Sequence, residues 1–277
     1  MAASGLLRLD RLLVERGLAP SRDAAKEMIA GGRVKVSGFL QHKPASMVSP
    51  DAQVEIADDG AEEKWVSRGA HKLLKGLDFW GIDPTGMQCI DIGASTGGFT
   101  QVLLARGASR VAAVDVGYGQ LAWSLRNDAR VRVMERTNAR YVTPEEIGWS
   151  ADLLTVDASF ISLRLLLPNL QTLFSLDGTM IALVKPQFEA GRGRTSKGVV
   201  RDPALHEEVL RTIAAFVRDE TELALIGATH SPIKGPEGNI EFIFYMKRTD
   251  EAHTGDEIDK EPDFSAVVRE AHTELAG

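Results

Sequence analysis

The segment Cys89-Ile-Asp-Ile-Gly-Ala-Ser-Thr-Gly-Gly-Phe-Thr100 constrains this chain more than any other stretch. Met87 to Ile92 is short and mostly apolar, the pattern of a buried strand, with Asp91 near its end. Phe99, Val102, Leu103 and Leu104 fall on one face of a helix that stops near Gly107. Between them, the small residues from Gly93 to Gly98 let a ligand approach the backbone, and the helix start offers free N–H groups. The same alternation continues downstream. Strands are predicted at 110–115 (ending in Asp115), 131–134, 153–157 (ending in Asp157), 179–184 (then Lys185), 223–229 and 240–246. Helices are predicted over 117–126, 163–174 and 203–218. The sum is an α/β fold with a seven-stranded sheet, mostly parallel, with one antiparallel strand.

The glycine spacing separates the possible ligands. A dinucleotide fingerprint needs glycine at the first, third and sixth positions; counted from Gly93, the third is Ser95. No Gly-Lys-Ser/Thr end is present, which argues against a P-loop. Asp-x-Gly-x-x-x-Gly-Gly-Phe resembles instead the first motif of S-adenosylmethionine (SAM) methyltransferases, whose loop packs against a sulfonium amino acid. The resemblance implies a Rossmann-like methyltransferase sheet with SAM as cofactor. It points to Ser67, Asp91, Gly93, Ala94, Ser95, Gly97, Gly98, Phe99, Asp115, Asn138, Ala139 and Asp157 as the cofactor residues. Asp115, at a strand end, is placed to accept both ribose hydroxyls of an adenosyl group. Asn138 and Ala139 follow the third strand, where a ligand base lies in an open α/β sheet. An ordinary strand–turn–helix is the plainer alternative, but the loop and the strand-end acid occur together.

Composition bounds the partners. At 277 residues the chain holds one full α/β domain and a smaller one. Its longest apolar runs, such as 161–167, are broken by Ser162 and Arg164, so no segment is expected to span a bilayer, and no secretory pattern opens the chain. Cys89 is the sole cysteine, which rules out an intrachain disulfide and argues against a thiolate metal site; no metal is expected. A cytoplasmic monomer is the expectation. Residues 249–277 carry nine acids and two bases, and so account for the whole net charge of −7. The neutral body leaves a nucleic-acid partner open, because local patches decide phosphate binding.

Residues 1–57 have their own logic. An amphipathic helix from Leu6 ends near Gly17, Ser21 caps a second that runs to Gly31-Gly32, and β-segments follow at 33–38 and 53–56. Arg8-Leu-Asp-x-x-Leu13, Ser21-Arg-x-x-Ala25 and Gly32-Arg-Val-x-Val-x-Gly38 together resemble the S4-type RNA-binding domain, a small α+β module. That resemblance implies RNA contacts from Arg8, Arg11, Arg22, Lys26, Arg33 and Lys35, to which Arg68 is added beyond a linker at 58–64. The expected domains are 1–57, 65–248 and an acidic tail over 249–277 with a short helix around Phe264 to Ala271.

Lys72, Asp157, Lys185 and Glu241, mostly at strand ends on one sheet edge, resemble in their order the tetrad of FtsJ-like ribose 2′-O-methyltransferases, with Lys75 as alternative for the first place. Enzymes that methylate base nitrogens tend to carry Asp/Asn-Pro-Pro-Tyr after the fourth strand, where this chain has Asp157-Ala-Ser-Phe160. A ribose hydroxyl needs a base to take its proton. A lysine serves once a second ammonium and partial burial favour its neutral form. Lys185 is assigned as that base, Lys72 as its neighbour, and Asp157 and Glu241 as the acids that orient them.

With Val66-Ser-Arg-Gly-Ala-His-Lys-Leu73 and Lys185-Pro-Gln-Phe-Glu189, the whole arrangement resembles the TlyA family. This implies methylation of cytidine 2′-hydroxyls in ribosomal RNA of the small subunit, the large subunit or both. The alternatives are a pore-forming haemolysin and a ribosome-binding factor without catalysis. Nothing in the chain supplies a pore, and a pure binder has no use for paired lysines.

Overall fold

The computed structural model describes residues 6–19, 21–30, 34–41, 43–56, 65–191, 193–195, 198–248 and 261–276. The chain forms two compact units, 1–64 and 65–277.

In the first unit, strand β1 (Leu7–Arg8) leads into helix α1 (Leu9–Glu15), then α2 (Arg22–Ala30), β2 (Val34–Val36), β3 (Phe39–Gln41), β4 (Met47–Val48) and β5 (Val54–Ile56). Leu7 and Arg8, expected in the first helix, are instead extended and pair antiparallel with Val48 and Met47. Ser21 caps α2 by accepting a hydrogen bond from the Ala24 amide at 3.2 Å. The apolar faces of both helices, with Leu9, Leu12, Leu13, Ala25 and Ile29, close over Val34 and Val36 of the three-stranded sheet.

The second unit opens with α3 (Ala70–Trp80) and then alternates β6 (Gln88–Ile92), α4 (Gly98–Ala105), β7 (Arg110–Val114), α5 (Trp123–Arg126), β8 (Val131–Met134), α6 (Pro144–Ile147) and β9 (Ala151–Val156). Next come α7 (Leu167–Leu170), β10 (Phe174–Val184), α8 (Pro186–Glu189), α9 (Pro203–Glu220), β11 (Leu223–His230), β12 (Phe242–Arg248) and α10 (Phe264–Glu274). The seven strands run in the order β11-β12-β10-β9-β6-β7-β8, and β12 is antiparallel to both of its neighbours. Strand order reverses at β6, so a crevice opens beyond the carboxyl ends of β6 and β9, the place where open α/β sheets take ligands. Because β12 runs the other way, its beginning reaches that same edge, with Glu241 just ahead of it.

Two expected helices are shorter than their apolar pattern. Of 117–126 only Trp123–Arg126 is helical, since Gly119 takes φ +72° and the Gly117 amide is held by Asp115. The span 163–174 breaks into two 3₁₀ turns around α7, where Pro168, lacking an N–H, restarts the helix. Helix α6 was not expected, although Thr143 and Glu146 form a reciprocal capping box around Pro144.

Helix α10, left in the acidic tail by the sequence reading, packs on this second unit. Phe264, Val268 and Ala271 are buried, and Phe264 stacks on Phe244. His272 Nε2 lies 2.9 Å from Nδ1 of the fully buried His206 on α9. Burial, then the neighbouring His272, pushes His206 down to about 4, and burial lowers His272 as well. A histidine whose folded value lies below its ordinary 6.5 stabilises the fold above pH 6.5, and that stability is lost as the pH falls toward 4. Folding stability is therefore expected to fall across that window by on the order of a few kcal/mol, and the thermal midpoint with it. A His206→Leu variant with the same acid slope in calorimetry would show that the pair is not responsible.

Candidate functional site

A cavity of about 370 Å³ sits at the strand-order reversal. Ile92, Val114, Ala139, Ile161 and Leu166 give it apolar walls, and Asp115 and Asp157 face it from two sides. Asp115 follows β7 and is fixed by two backbone donors. Its Oδ2 accepts from the Ser95 amide at 2.8 Å and its Oδ1 from the Gly117 amide at 2.7 Å. Each carboxylate oxygen keeps a second lone pair, so both remain able to accept a ribose hydroxyl. Apolar walls for an adenine, a prepared acid for a ribose and a second acid for an ammonium fit an adenosyl amino acid such as SAM.

Of the residues expected at the cofactor, Gly93, Ser95, Asp115, Asn138, Ala139 and Asp157 line the cavity. Ser67, Asp91, Ala94, Gly97, Gly98 and Phe99 stand outside that lining, with other tasks. Asp91 is fully buried and accepts from the Thr100 hydroxyl at 2.6 Å and the Thr155 hydroxyl at 3.1 Å, tying β6 to α4 and β9. Burial pushes its carboxyl up to about 7 against those two hydrogen bonds. Gly97 has φ +98°, and a Cβ there would lie 2.2 Å from Leu125 Cδ1, so protein packing requires its smallness. Gly93, at φ +81°, lets the loop touch the Asp157 carbonyl, which a Cβ would meet at 2.7 Å. Ser67 packs its Oγ on Gly98, while Ala94 and Phe99 belong to the core.

Four ionisable side chains meet beside the cavity. Lys72 on α3 is buried and donates to Glu241 Oε2 at 2.6 Å, and Glu241 is fully buried. Lys72 Nζ is also 3.9 Å from Asp157 Oδ2. Lys185, delivered by the end of β10, is buried and places Nζ 2.6 Å from Asp157 Oδ1 and 2.9 Å from Ser159 Oγ. Asp157 thus stands between two ammonium groups and faces the cavity as well. Gly235 keeps the space for Glu241, since a Cβ there would fall 2.1 Å from Glu241 Oε1. Lys75, the alternative, lies elsewhere, at 3.2 Å from His230 Nε2 and 3.7 Å from Glu274.

Sequence reasoning passed over Ser159 and Phe160, both cavity-lining. Phe160 is 90% exposed with φ +64°, a left-handed conformation that no spacing announces. Arg136 lies over the exposed Tyr118 ring at 4.2 Å and Arg140 over Tyr141 at 5.3 Å, in the loops that follow β7 and β8.

In the first unit the expected RNA contacts are mostly paired. Arg8 grips the buried Asp10 through two bonds of 3.1 and 2.9 Å, and Arg22 reaches the same carboxylate at 3.2 Å. The Arg8 guanidinium, joined by Arg22 and opposed by desolvation, holds Asp10 down to about 2. Arg11 pairs with Glu15 and Lys26 with Asp23. Lys35 is exposed with no side-chain partner among the described residues, as is Arg68 in the second unit. Arg33 lies outside the described residues.

Comparison with known proteins matches residues 65–248 to the FtsJ-like methyltransferase model and residues 7–54 to the S4 domain. The 16S/23S rRNA (cytidine-2′-O)-methyltransferase TlyA of Mycobacterium tuberculosis (strain ATCC 25618 / H37Rv) is 50% identical over 249 residues, 88% of this chain and 91% of that protein. Hemolysin A of Brachyspira hyodysenteriae is 38% identical over 242 residues, 87% of this chain and 99% of that one. A solved structure from Streptococcus thermophilus, named for haemolysin, is 39% identical and aligns over 99% of this chain and 98% of its own with a TM-score of 0.74.

Proposed function

The chain belongs to the TlyA family of FtsJ-like methyltransferases with an N-terminal S4 domain, and from that premise we propose how its residues methylate cytidine ribose 2′-hydroxyls of ribosomal RNA. The observation that carries the reading is the cluster of Lys72, Asp157, Lys185 and Glu241, of which Asp157 lines the Asp115 cavity. SAM, when bound there, supplies a methyl group on a positively charged sulfur. Asp115 holds the ribose of the cofactor, Asn138 and Ala139 border its base, and Asp157 faces its amino-acid end.

Lys185 Nζ accepts the proton of the substrate hydroxyl as that oxygen gains its bond to the methyl carbon; the electrons of the broken carbon–sulfur bond stay on sulfur. Asp157 holds Lys185 in place and stabilises the ammonium that forms. Glu241 balances Lys72, so the second cation stays fixed beside the site. Phe160 offers a ring on which an unstacked base can lie, and the Arg136–Tyr118 and Arg140–Tyr141 pairs suit a nucleic-acid strand. The first unit contributes RNA affinity through Lys35 and the outer faces of Arg8 and Arg22, which are half-exposed despite their shared acid. Small subunit, large subunit or both are the targets, and a ribosomal substrate places the enzyme in the cytoplasm.

Asp115→Ala is expected to weaken SAM binding by about 1.5–3 kcal/mol, the range for hydrogen bonds to a charged acceptor. Calorimetry giving wild-type affinity would remove Asp115 from the cofactor site. The reaction itself is tested with methyl-labelled SAM and unmethylated ribosomal subunits. A 2′-O-methyl group removes the internal nucleophile of alkaline hydrolysis, so label should appear in an alkali-stable dinucleotide that begins with cytidine. Label released in ordinary mononucleotides would mean base methylation and would overturn the reading.

A further inference from the structure

We propose that Ser159 is a positioning residue for methyl transfer, fixing the orientation of the Lys185 amine through its hydroxyl; the proposal rests on Lys185 being the base. Ser159 belongs to the loop between β9 and the 3₁₀ turn at Leu163–Leu165, lines the cavity and is exposed to it. Its Oγ is 2.9 Å from Lys185 Nζ, while Asp157 Oδ1 is 2.6 Å from the same nitrogen.

A neutral amine at the end of a lysine has one carbon, two N–H bonds and one lone pair arranged as a tetrahedron. With one N–H given to Ser159 Oγ, rotation about Cε–Nζ is stopped and two directions are left. The Asp157 carboxylate, an ion-pair neighbour 2.6 Å from the nitrogen, attracts the second N–H and repels the lone pair, which takes the direction turned away from it. With Asp157 alone only that ion contact remains, and no hydrogen bond stops rotation about Cε–Nζ. The serine hydroxyl removes this rotation. In the product state the third proton, taken from the ribose hydroxyl, occupies the direction the lone pair had, so neither of the two existing contacts has to break.

The loop is built to hold Ser159 still. Glu189, buried at the end of α8, accepts from the Leu163 amide at 2.7 Å and from the Ser162 hydroxyl at 2.5 Å. Phe188 on the same helix packs its ring on Phe160 at 5.1 Å. Helix α8 begins immediately after Lys185, so the base and the clamp on the serine loop sit on one short rigid piece of chain. Lys185, Ser159, the loop and Glu189 form a closed circuit, and a displacement of any part moves the rest.

The test uses the full chain with ribosomal subunits under single-turnover conditions, comparing Ser159→Ala, Ser159→Thr and Lys185→Ala. Ser159→Ala should lower the maximal transfer rate about ten- to a hundredfold, the scale for a misaligned reacting group, and leave SAM affinity, the subunit concentration at half-maximal rate and the thermal midpoint unchanged. Ser159→Thr, which restores the hydroxyl, should recover most of the rate. A wild-type rate in Ser159→Ala would overturn the proposal, as would a loss that threonine fails to recover or a loss confined to SAM or subunit affinity. Lys185→Ala separates the two readings. If it transfers at the wild-type rate, the base assignment itself is wrong; if it is inactive while Ser159→Ala is normal, only the role of Ser159 is lost.

Discussion

Lys185→Ala is expected to reduce single-turnover methyl transfer at least about a hundredfold while SAM affinity stays within a few-fold, the usual consequence of removing a general base. Lys185 is not among the cavity-lining residues, so its loss should leave the cofactor contacts of Asp115 and Asn138 in place. The substitution also frees Asp157, but that carboxylate keeps 19% of its side chain exposed and can recover water. Folding should therefore survive, and the rate should not. Equilibrium binding of SAM and rapid-quench transfer on the same preparation make the comparison. An enzyme that keeps its rate would move the base elsewhere in the cluster.

Lys72→Ala should behave differently, because stability is lost along with rate. Glu241 is wholly buried and its contact with Lys72 is 2.6 Å, so removing the lysine leaves a carboxylate in the interior without its cation. Breaking such a pair from one side costs about 3–5 kcal/mol. Adding Glu241→Gln to Lys72→Ala neutralises the stranded charge and should return part of that stability without returning activity. Denaturant unfolding of both single variants and the double variant measures the coupling. If Lys72→Ala unfolds within about 1 kcal/mol of the wild type, the pair is more hydrated in solution than its burial implies.

The strands were legible because each is a short apolar run flanked by turn residues. The span 131–134 agrees with β8 end for end, and 110–115 overruns β7 by one residue. The helices were less so, since apolar periodicity does not reveal when Pro168 or Gly119 interrupts it. Leu7 and Arg8 went astray because their pairing with Met47 and Val48 is a tertiary choice between residues forty apart in sequence. At the site, Asp157, Lys185 and Glu241 stand at strand ends, where β topology brings them to one edge, whereas Lys72 comes from helix α3. Gly93 and Gly97 read as room for a ligand, and a neighbouring piece of protein also requires each to be small. Ser159 carried no signal, for its significance lies in what Lys185 is near.

The antiparallel course of β12 has a consequence for how the enzyme comes into being. Every residue lining the cavity precedes residue 167, whereas Glu241 reaches Lys72 across 169 positions of sequence. A chain emerging from a ribosome folds from its N-terminal side, so the segments of the cofactor cavity are all outside well before the acid that neutralises Lys72 has been made. Until the last hairpin closes, Lys72 has no glutamate to hold it, and closing so long a loop is among the later events of folding. A growing or truncated chain that ends before Glu241 would carry the cofactor-lining residues but only three of the four charged residues of the site. The order of synthesis thus completes the segments of the cofactor cavity before the charged cluster beside it.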